Sequence, residues 1–272
     1  MIQWSVTFGT REAGAILRIC ILASSSAGNS TFLSTGHTRV LIDAGVSGRE
    51  ICEKLAAIGE CVEGLDAVLV THEHADHVCG LMPVLKKARQ AAVYTTRLAA
   101  PAIDWGKYQP RLVCFQAGER FQVGDFDVQS FTVPHDSVDP VCFRLSACGV
   151  CASVVTDLGY MPESVRQHIR DSDWLMLESN HDLDMLKVGP YPWSVKQRVM
   201  GRNGHLSNLM VSDYIMDGMN RSLRTLVLAH LSEHNNHPAI AEMTAAQAIA
   251  RCGAAPALEV TQPRALSAVW EF

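Results

Sequence analysis

The chain lacks any apolar run near the roughly 18 residues that a membrane-spanning helix needs, so no membrane role is expected. Its first residues have no basic stretch followed by an apolar one. No secretion signal is therefore expected, and the chain reads as cytoplasmic. It lacks an excess of positive charge: 23 Lys and Arg stand against 28 Asp and Glu, a net charge of -5. That balance excludes global attraction to nucleic acid or acidic lipid. A disulfide framework is missing too, because the nine cysteines are scattered and odd in number. Such usage suits reduced thiols in a cytoplasm. The single C-x-x-C, Cys148-Gly149-Val150-Cys151, has no second pair to complete a zinc knuckle. It lies between two strand-like runs, Val141 to Ala147 and Val150 to Thr156, and reads as a hairpin turn. There is no short-period repeat and no low-complexity tail.

What is present is a chain of 272 residues, 48% apolar, long enough to bury a sizeable core. Residues 1–16 lack periodicity and read as an N-terminal extension to a single domain over 17–272. Leu17 to Leu22 is the first convincing strand. A Ser/Gly-rich turn from Ala23 to Ser30 follows, then strands at Thr31 to Ser34 and Arg39 to Asp43. Val46 to Ile58 and Val78 to Arg89 read as helices, the first with Ile51, Leu55 and Ile58 on one face. Short strands recur from Val93 to Thr156, and Met161 to Arg170 is helical with Pro162 in its first turn. Trp174 to Glu178 is a buried strand. Ser207 is a plausible N-cap for a helix through Met219, with Leu206, Leu209, Met210 and Tyr214 facing inward. Leu223 to Ala229 is a strand, and Pro238 starts a helix running to Arg251.

The most informative segment is Val70-Thr71-His72-Glu73-His74-Ala75-Asp76-His77. Three histidines and an aspartate fall within six positions, directly after an apolar strand-like run. One metal ion would be crowded by four ligands from so short an arc. Two ions can share them, with His72 and His74 on the first and Asp76 and His77 on the second. A His-rich surface loop is the bland alternative.

His-x-His-x-Asp-His resembles the signature of the metallo-β-lactamase fold superfamily. That resemblance implies an αββα sandwich of two mixed sheets with outer helices, and three more ligands at later strand ends. Phe131-Thr132-Val133-Pro134-His135, Val154-Val155-Thr156-Asp157 and Leu226-Val227-Leu228-Ala229-His230 fit them in order. The implied site is binuclear: His72, His74 and His135 on one ion, Asp76, His77 and His230 on the other, and Asp157 bridging. Imidazole and carboxylate ligands suit two divalent transition-metal ions, zinc above all, with manganese or iron as alternatives. Such a pair can activate water and polarise a scissile bond. The bridging aspartate is similar to phosphodiesterases and thioesterases of the superfamily, and true β-lactamase activity is not expected.

A narrower resemblance rests on further segments. Leu22-Ala23-Ser24-Ser25-Ser26-Ala27-Gly28-Asn29-Ser30, Leu41-Ile42-Asp43-Ala44-Gly45, Glu178-Ser179-Asn180-His181-Asp182, Gly189-Pro190-Tyr191-Pro192-Trp193, Gly204-His205-Leu206-Ser207-Asn208 and His230-Leu231-Ser232-Glu233-His234-Asn235-Asn236 together look like the YycJ (WalJ) branch. This implies a 5′-to-3′ DNA exonuclease acting in DNA repair. The branch usually carries Gly where this chain has Ser25, a change expected to shift a turn rather than abolish a site. The tail is also similar to tRNase Z and to the phosphonate-pathway cyclic phosphodiesterase. From tRNase Z-like enzymes comes the expectation that Glu178 and His205 cooperate as catalytic residues beside Asp76, protonating the leaving oxygen. The alternative is that His205 merely packs at a helix start.

Substrate contacts are expected from Ser26, Asn29 and Ser30, whose turn could offer hydroxyls and N–H groups to a phosphate, and from His181. The basic segment Lys196, Arg198 and Arg202 could seat a nucleic-acid backbone, or could be a solvated face. Trp193 and Tyr191 could stack bases. Too few residues separate Asp157 from His230 for an inserted nuclease domain. The leading expectation is a phosphodiesterase acting on DNA. A small-molecule phosphodiesterase or thioesterase is the runner-up, and a metal-stabilised interaction protein is the non-enzymatic reading. Oligomeric state stays open.

Overall fold

Fourteen strands form two seven-stranded sheets in the computed structural model, which describes residues 16–272. Residues 1–15 of the expected extension lie outside the described residues. The first sheet holds β1 (Arg18–Ser25), β2 (Gly28–Ser34), β3 (Arg39–Ile42), β4 (Ala67–Leu69), β5 (Ala92–Thr96) and β6 (Arg111–Phe115). The second holds β7 (Arg120–Val123), β8 (Phe126–Thr132), β9 (Val141–Ala147), β10 (Val150–Val155), β11 (Trp174–Glu178), β12 (Thr225–Ala229) and β13 (Ala257–Val260). The chain then returns, and β14 (Trp270–Glu271) pairs with β1. In each sheet one half is antiparallel and the other parallel, so both are mixed.

Strand periodicity decides which side chains meet. Alternate residues point to opposite faces, and here both faces are apolar. Ile19, Ile21, Leu33, Val40 and Ile42 of the first sheet meet Val128, Phe143, Val154, Trp174 and Met176 of the second in the central core. The opposite face of the first sheet, with Leu22, Phe32, Leu41 and Val68, packs on Ile51 and Leu55 of α1 (Gly48–Ala57). The helix pair α2 (Ala75–Val78) and α3 (Leu81–Lys87) follows on that side, α3 adding Leu81, Val84 and Leu85. The outer face of the second sheet, with Leu175, Leu177, Leu226 and Leu228, is covered by α4 (Glu163–Ile169) and by helices of the final third. Those are α7 (Asn208–Asp217) and α8 (Pro238–Cys252), while α5 (Leu183–Val188) and α6 (Trp193–Val199) lie between β11 and α7 along the chain. Strands buried on both faces read as continuous apolar runs, as Trp174-Leu175-Met176-Leu177 does. The four layers are the expected αββα sandwich.

Some local expectations are corrected. The stretch Ala23 to Ser30 is mostly strand, with only Ser26 and Ala27 turning between β1 and β2. Ser25 Oγ accepts from Ala27 N at 3.1 Å and closes that turn. The helix expected over Val78 to Arg89 begins later, as α3 at Leu81, set off from α2 by a turn at Cys79 and Gly80. A Cβ at Gly80 would lie 2.0 Å from Val46 O, so the backbone backs directly onto the preceding loop. On α7, Ser207 is the N-cap, accepting from Met210 N. Leu206 and Tyr214 are buried, but Leu209 and Met210 face outward, and Val211 and Ile215 take the inward positions. The reading also missed α5, α6, β13 and β14. At Cys148 and Gly149 the chain makes a two-residue hairpin, with φ of 54° and 75°.

Candidate metal centre

The parallel strands of both sheets end at one edge, and the candidate ligands stand there. His72 and His74 follow β4, while Asp76 and His77 lie on α2. His135 follows β8, Asp157 follows β10, and His230 follows β12. Three non-glycine residues at these ends have positive φ: Asp43 at 58°, Asp157 at 60° and His230 at 55°. Each such conformation costs of order 1–3 kcal/mol, and each here turns a strand end toward the same point. Gly45 lets the layers close around it. A Cβ at Gly45 would lie 1.6 Å from the Asp76 carbonyl oxygen.

Three groups of donor atoms converge, each within 4.8 Å. Two are His72, His74 and His135, and Asp76, His77, Asp157 and His230; the third, Asp157, Glu178, His205 and His230, overlaps the second. Asp157 Oδ2 lies 3.2 Å from His77 Nε2, and Oδ1 lies 3.8 Å from His135 Nε2, so this carboxylate stands between the first two groups. The far nitrogens of the rings are spoken for. His77 Nδ1 donates to Asp43 Oδ2 at 2.7 Å, and His230 Nδ1 to Glu178 Oε1 at 2.7 Å. His72 Nδ1 faces Thr71 Oγ1 at 3.0 Å, and His135 Nδ1 faces Gly204 O at 3.3 Å. An acceptor on one nitrogen fixes the tautomer and aims the other as a ligand.

Those other nitrogens fit cations. His72 Nε2, His230 Nε2 and Asp157 Oδ2 are buried and have no hydrogen-bond partner among the described residues. Leaving such atoms unpaired costs about 1–3 kcal/mol each, and a metal ion would satisfy all three. The charges agree. Burial works against protonated His230, yet Asp157, Asp76 and Glu178 push it up to about 10. His77 is likewise held well above its ordinary value against burial, by Asp157 and Asp43. A site so rich in buried carboxylate calls for positive charge.

Glu178 is fully buried at the end of β11. Its Oε1 accepts from both His205 Nδ1 and His230 Nδ1 at 2.7 Å, and its Oε2 from Leu158 N at 3.1 Å and Leu206 N at 3.0 Å. Burial alone would raise this carboxyl, but the His205 charge and the two imidazole bonds hold it at about 2. In return, although burial opposes it, Glu178 holds His205 above its ordinary value. His205 lines a cavity of about 220 Å³ together with His74, Asp76, His135, Asp157 and His230.

The candidate substrate residues divide. Ser26 lines this cavity and accepts from Asn180 Nδ2 at 3.1 Å, while Asn180 also bonds the His230 carbonyl. Asn29 and Ser30 do not line it: Asn29 is buried behind the second donor group, its Nδ2 donating to Ser25 O and lying 3.2 Å from His77 Nε2, and Ser30 Oγ donates to Asp43 O. His181 lies beside a neighbouring cavity. The basic segment does not act as one patch. Lys196 is buried and donates to Lys187 O at 2.7 Å. Arg202 lies over the Tyr160 ring at 4.7 Å. Arg198 alone of the three lines the cavity, paired with Asp136. Trp193 is exposed, and Tyr191 packs edge-on against His234.

Two contributors escaped the sequence reading. Asp43, the acceptor on His77 Nδ1, ends an apolar strand, the same signal that marks Asp157. Asp136 lines the cavity next to His135, and only its position in sequence hinted at this.

Residues 38–257 match the family model described as β-lactamase superfamily domain. The chain is 35% identical to the exodeoxyribonuclease WalJ of Streptococcus pneumoniae serotype 2 over 236 residues, 85% of this chain and 87% of that one. Against the exodeoxyribonuclease YycJ of Bacillus anthracis it is 32% identical over 242 residues, 87% and 90%. Among solved structures, the metallo-β-lactamase fold protein YhfI of Bacillus subtilis superposes with a TM-score of 0.74 at 16% identity, covering 95% of this chain and all of that one. With the αββα layers and the clustered strand-end candidate ligands, these matches establish that the chain belongs to the β-lactamase superfamily and, within it, to the WalJ/YycJ family.

Proposed function

We propose that the protein is a metal-dependent phosphodiesterase that removes nucleotides from DNA. The observation that carries this reading is Glu178, whose Oε1 joins ligand His230 to cavity residue His205. His72, His74 and His135 would hold one divalent ion, and Asp76, His77 and His230 the other, with Asp157 shared; zinc suits this donor set best. When bound, such ions supply an activated water and neutralise phosphoryl charge. The side chains supply the rest. Glu178 accepts a hydrogen bond from His205 Nδ1–H and keeps the imidazolium charged, so that its Nε2 proton can pass to the departing oxygen. An alkoxide departs poorly without a proton, and an imidazolium near neutral pH is suited to deliver one. Ser26 and Arg198 line the same cavity and are the candidates to hold the phosphodiester. The names of the two relatives, both exodeoxyribonucleases, support DNA as substrate. Nine unpaired cysteines fit a cytoplasmic setting.

A small-molecule phosphodiesterase is the second reading. It is favoured by the dispersal of the basic segment, which leaves Arg198 as its one cation at the cavity. An assay on end-labelled single- and double-stranded DNA, RNA and bis-p-nitrophenyl phosphate decides between them. Stepwise loss of DNA ends supports the first reading. Turnover of the small diester without any nucleic acid cleavage supports the second.

A further inference from the structure

A second cavity of about 240 Å³ shares the His205 imidazole with the metal-side cavity as a common wall. Its other walls include His181, Met200, Leu209, Met210 and Asp213. The apolar part is turned outward: Leu209 is 55% exposed and Met210 38%, both on the first turn of α7. Their neighbours Val211 and Ile215 supply that helix's packing, so Leu209 and Met210 are free of core duty.

The polar part is His181. Its ring is buried beside the cavity, and its Nδ1 has no hydrogen-bond partner among the described residues. The backbone around it is fixed, since Asn208 N donates to His181 O at 2.9 Å and His181 bridges to Ser207. Burial pushes the imidazole down to about 4, so it is neutral and offers one donor and one acceptor. A buried polar atom held rigidly without a partner, beside an apolar wall, is suited to recognise a flat polar ring.

We propose that this cavity receives the nucleobase of the leaving nucleoside, the one whose oxygen His205 protonates. Position selects this occupant. His205 separates the two cavities, so the sugar bearing the departing oxygen lies on its side and carries its base toward Met200, Leu209 and Met210. Size agrees: the space is below the roughly 300 Å³ at which pockets for drug-sized ligands begin, and it suits one heterocycle. Thioether and aliphatic walls accept any base by its face, and His181 adds a hydrogen bond at the edge. This inference rests on the phosphodiesterase reading.

The test uses metal-loaded full-length protein and short single-stranded DNA with one abasic residue immediately on either side of a defined scissile phosphate. The end groups of the product identify the leaving side. An abasic residue on that side should lower kcat/KM roughly tenfold or more, the scale of losing one group from an apolar pocket, and on the other side only slightly. In Leu209→Trp, which fills the cavity from an exposed helix position, intact and abasic substrates should be cleaved at nearly equal kcat/KM. Met210→Trp serves the same purpose if Leu209→Trp unfolds. No penalty in the wild type, or a penalty that persists in the filled variant, overturns the base pocket while leaving the nuclease reading intact. Hydrolysis of bis-p-nitrophenyl phosphate with no cleavage of any DNA overturns the nuclease reading itself, and the pocket with it.

Discussion

Replacing His205 with alanine should separate proton transfer from everything else the site does. Glu178 would lose one of its four hydrogen bonds but keep those from His230 Nδ1, Leu158 N and Leu206 N. The candidate ligand His230 therefore stays oriented, and metal content should not change. What disappears is the proton aimed at the departing oxygen. General acid catalysis contributes about 10²–10⁴-fold, or roughly 3–5 kcal/mol of barrier. DNA, with its poor alkoxide leaving group, should lose that much. Bis-p-nitrophenyl phosphate departs as a stabilised phenolate and should lose only a few-fold. Glu178→Gln should lose the same proton transfer, because an amide cannot hold His205 protonated, and should also weaken metal binding about 10–100-fold, because Oε1 is the acceptor on His230 Nδ1. The pH profile carries the same signature. Glu178 raises His205 above its ordinary value, so the acid is present below that raised pKa and lost as pH climbs through it. Wild-type DNA cleavage should show this alkaline decline, and His205→Ala should not. Equal losses on both substrates, together with lost metal, would refute the proton relay and make His205 a structural residue or a ligand.

Purified protein should hold about two transition-metal ions per chain; metal analysis that finds none, with no activity restored by Zn²⁺ or Mn²⁺, would remove the hydrolase reading. Asp76→Ala or His77→Ala should lose one ion preferentially and cut turnover by orders of magnitude, and wild-type rates in either would show the ligand set to be misassigned. Asp43→Asn weakens the acceptor on His77 Nδ1 without emptying its space, so metal affinity should fall about 10–100-fold, read by competition with a chelating dye. Arg198→Ala should weaken DNA binding and lower its salt slope by about one, since Arg198 lines the cavity, whereas Lys196→Ala should lower the melting temperature and leave that slope unchanged.

The sequence by itself determined the layers. Runs such as Trp174 to Leu177 and Leu226 to Ala229 carry apolar side chains at consecutive positions, and at so short a length that pattern suits a strand buried on both faces. It also marked the strand ends, because histidine or aspartate directly after an apolar run is conspicuous at His72, His135, Asp157 and His230. Caps were legible where one side chain sufficed, as at Ser207. Tertiary structure decided what depends on long-range neighbours. Asp43 meets His77 across 34 positions and Glu178 meets His230 across 52, distances that no local pattern spans. The side on which Leu209 and Met210 fall depended on the exact rotation of α7, which an N-cap does not fix. Lys196, Arg198 and Arg202 looked like one basic run because charge is counted along the chain. In space they part: Lys196 and Arg198 leave α6 in different directions, toward a carbonyl and a carboxylate, and Arg202 lies past the helix end in a turn, over an aromatic ring.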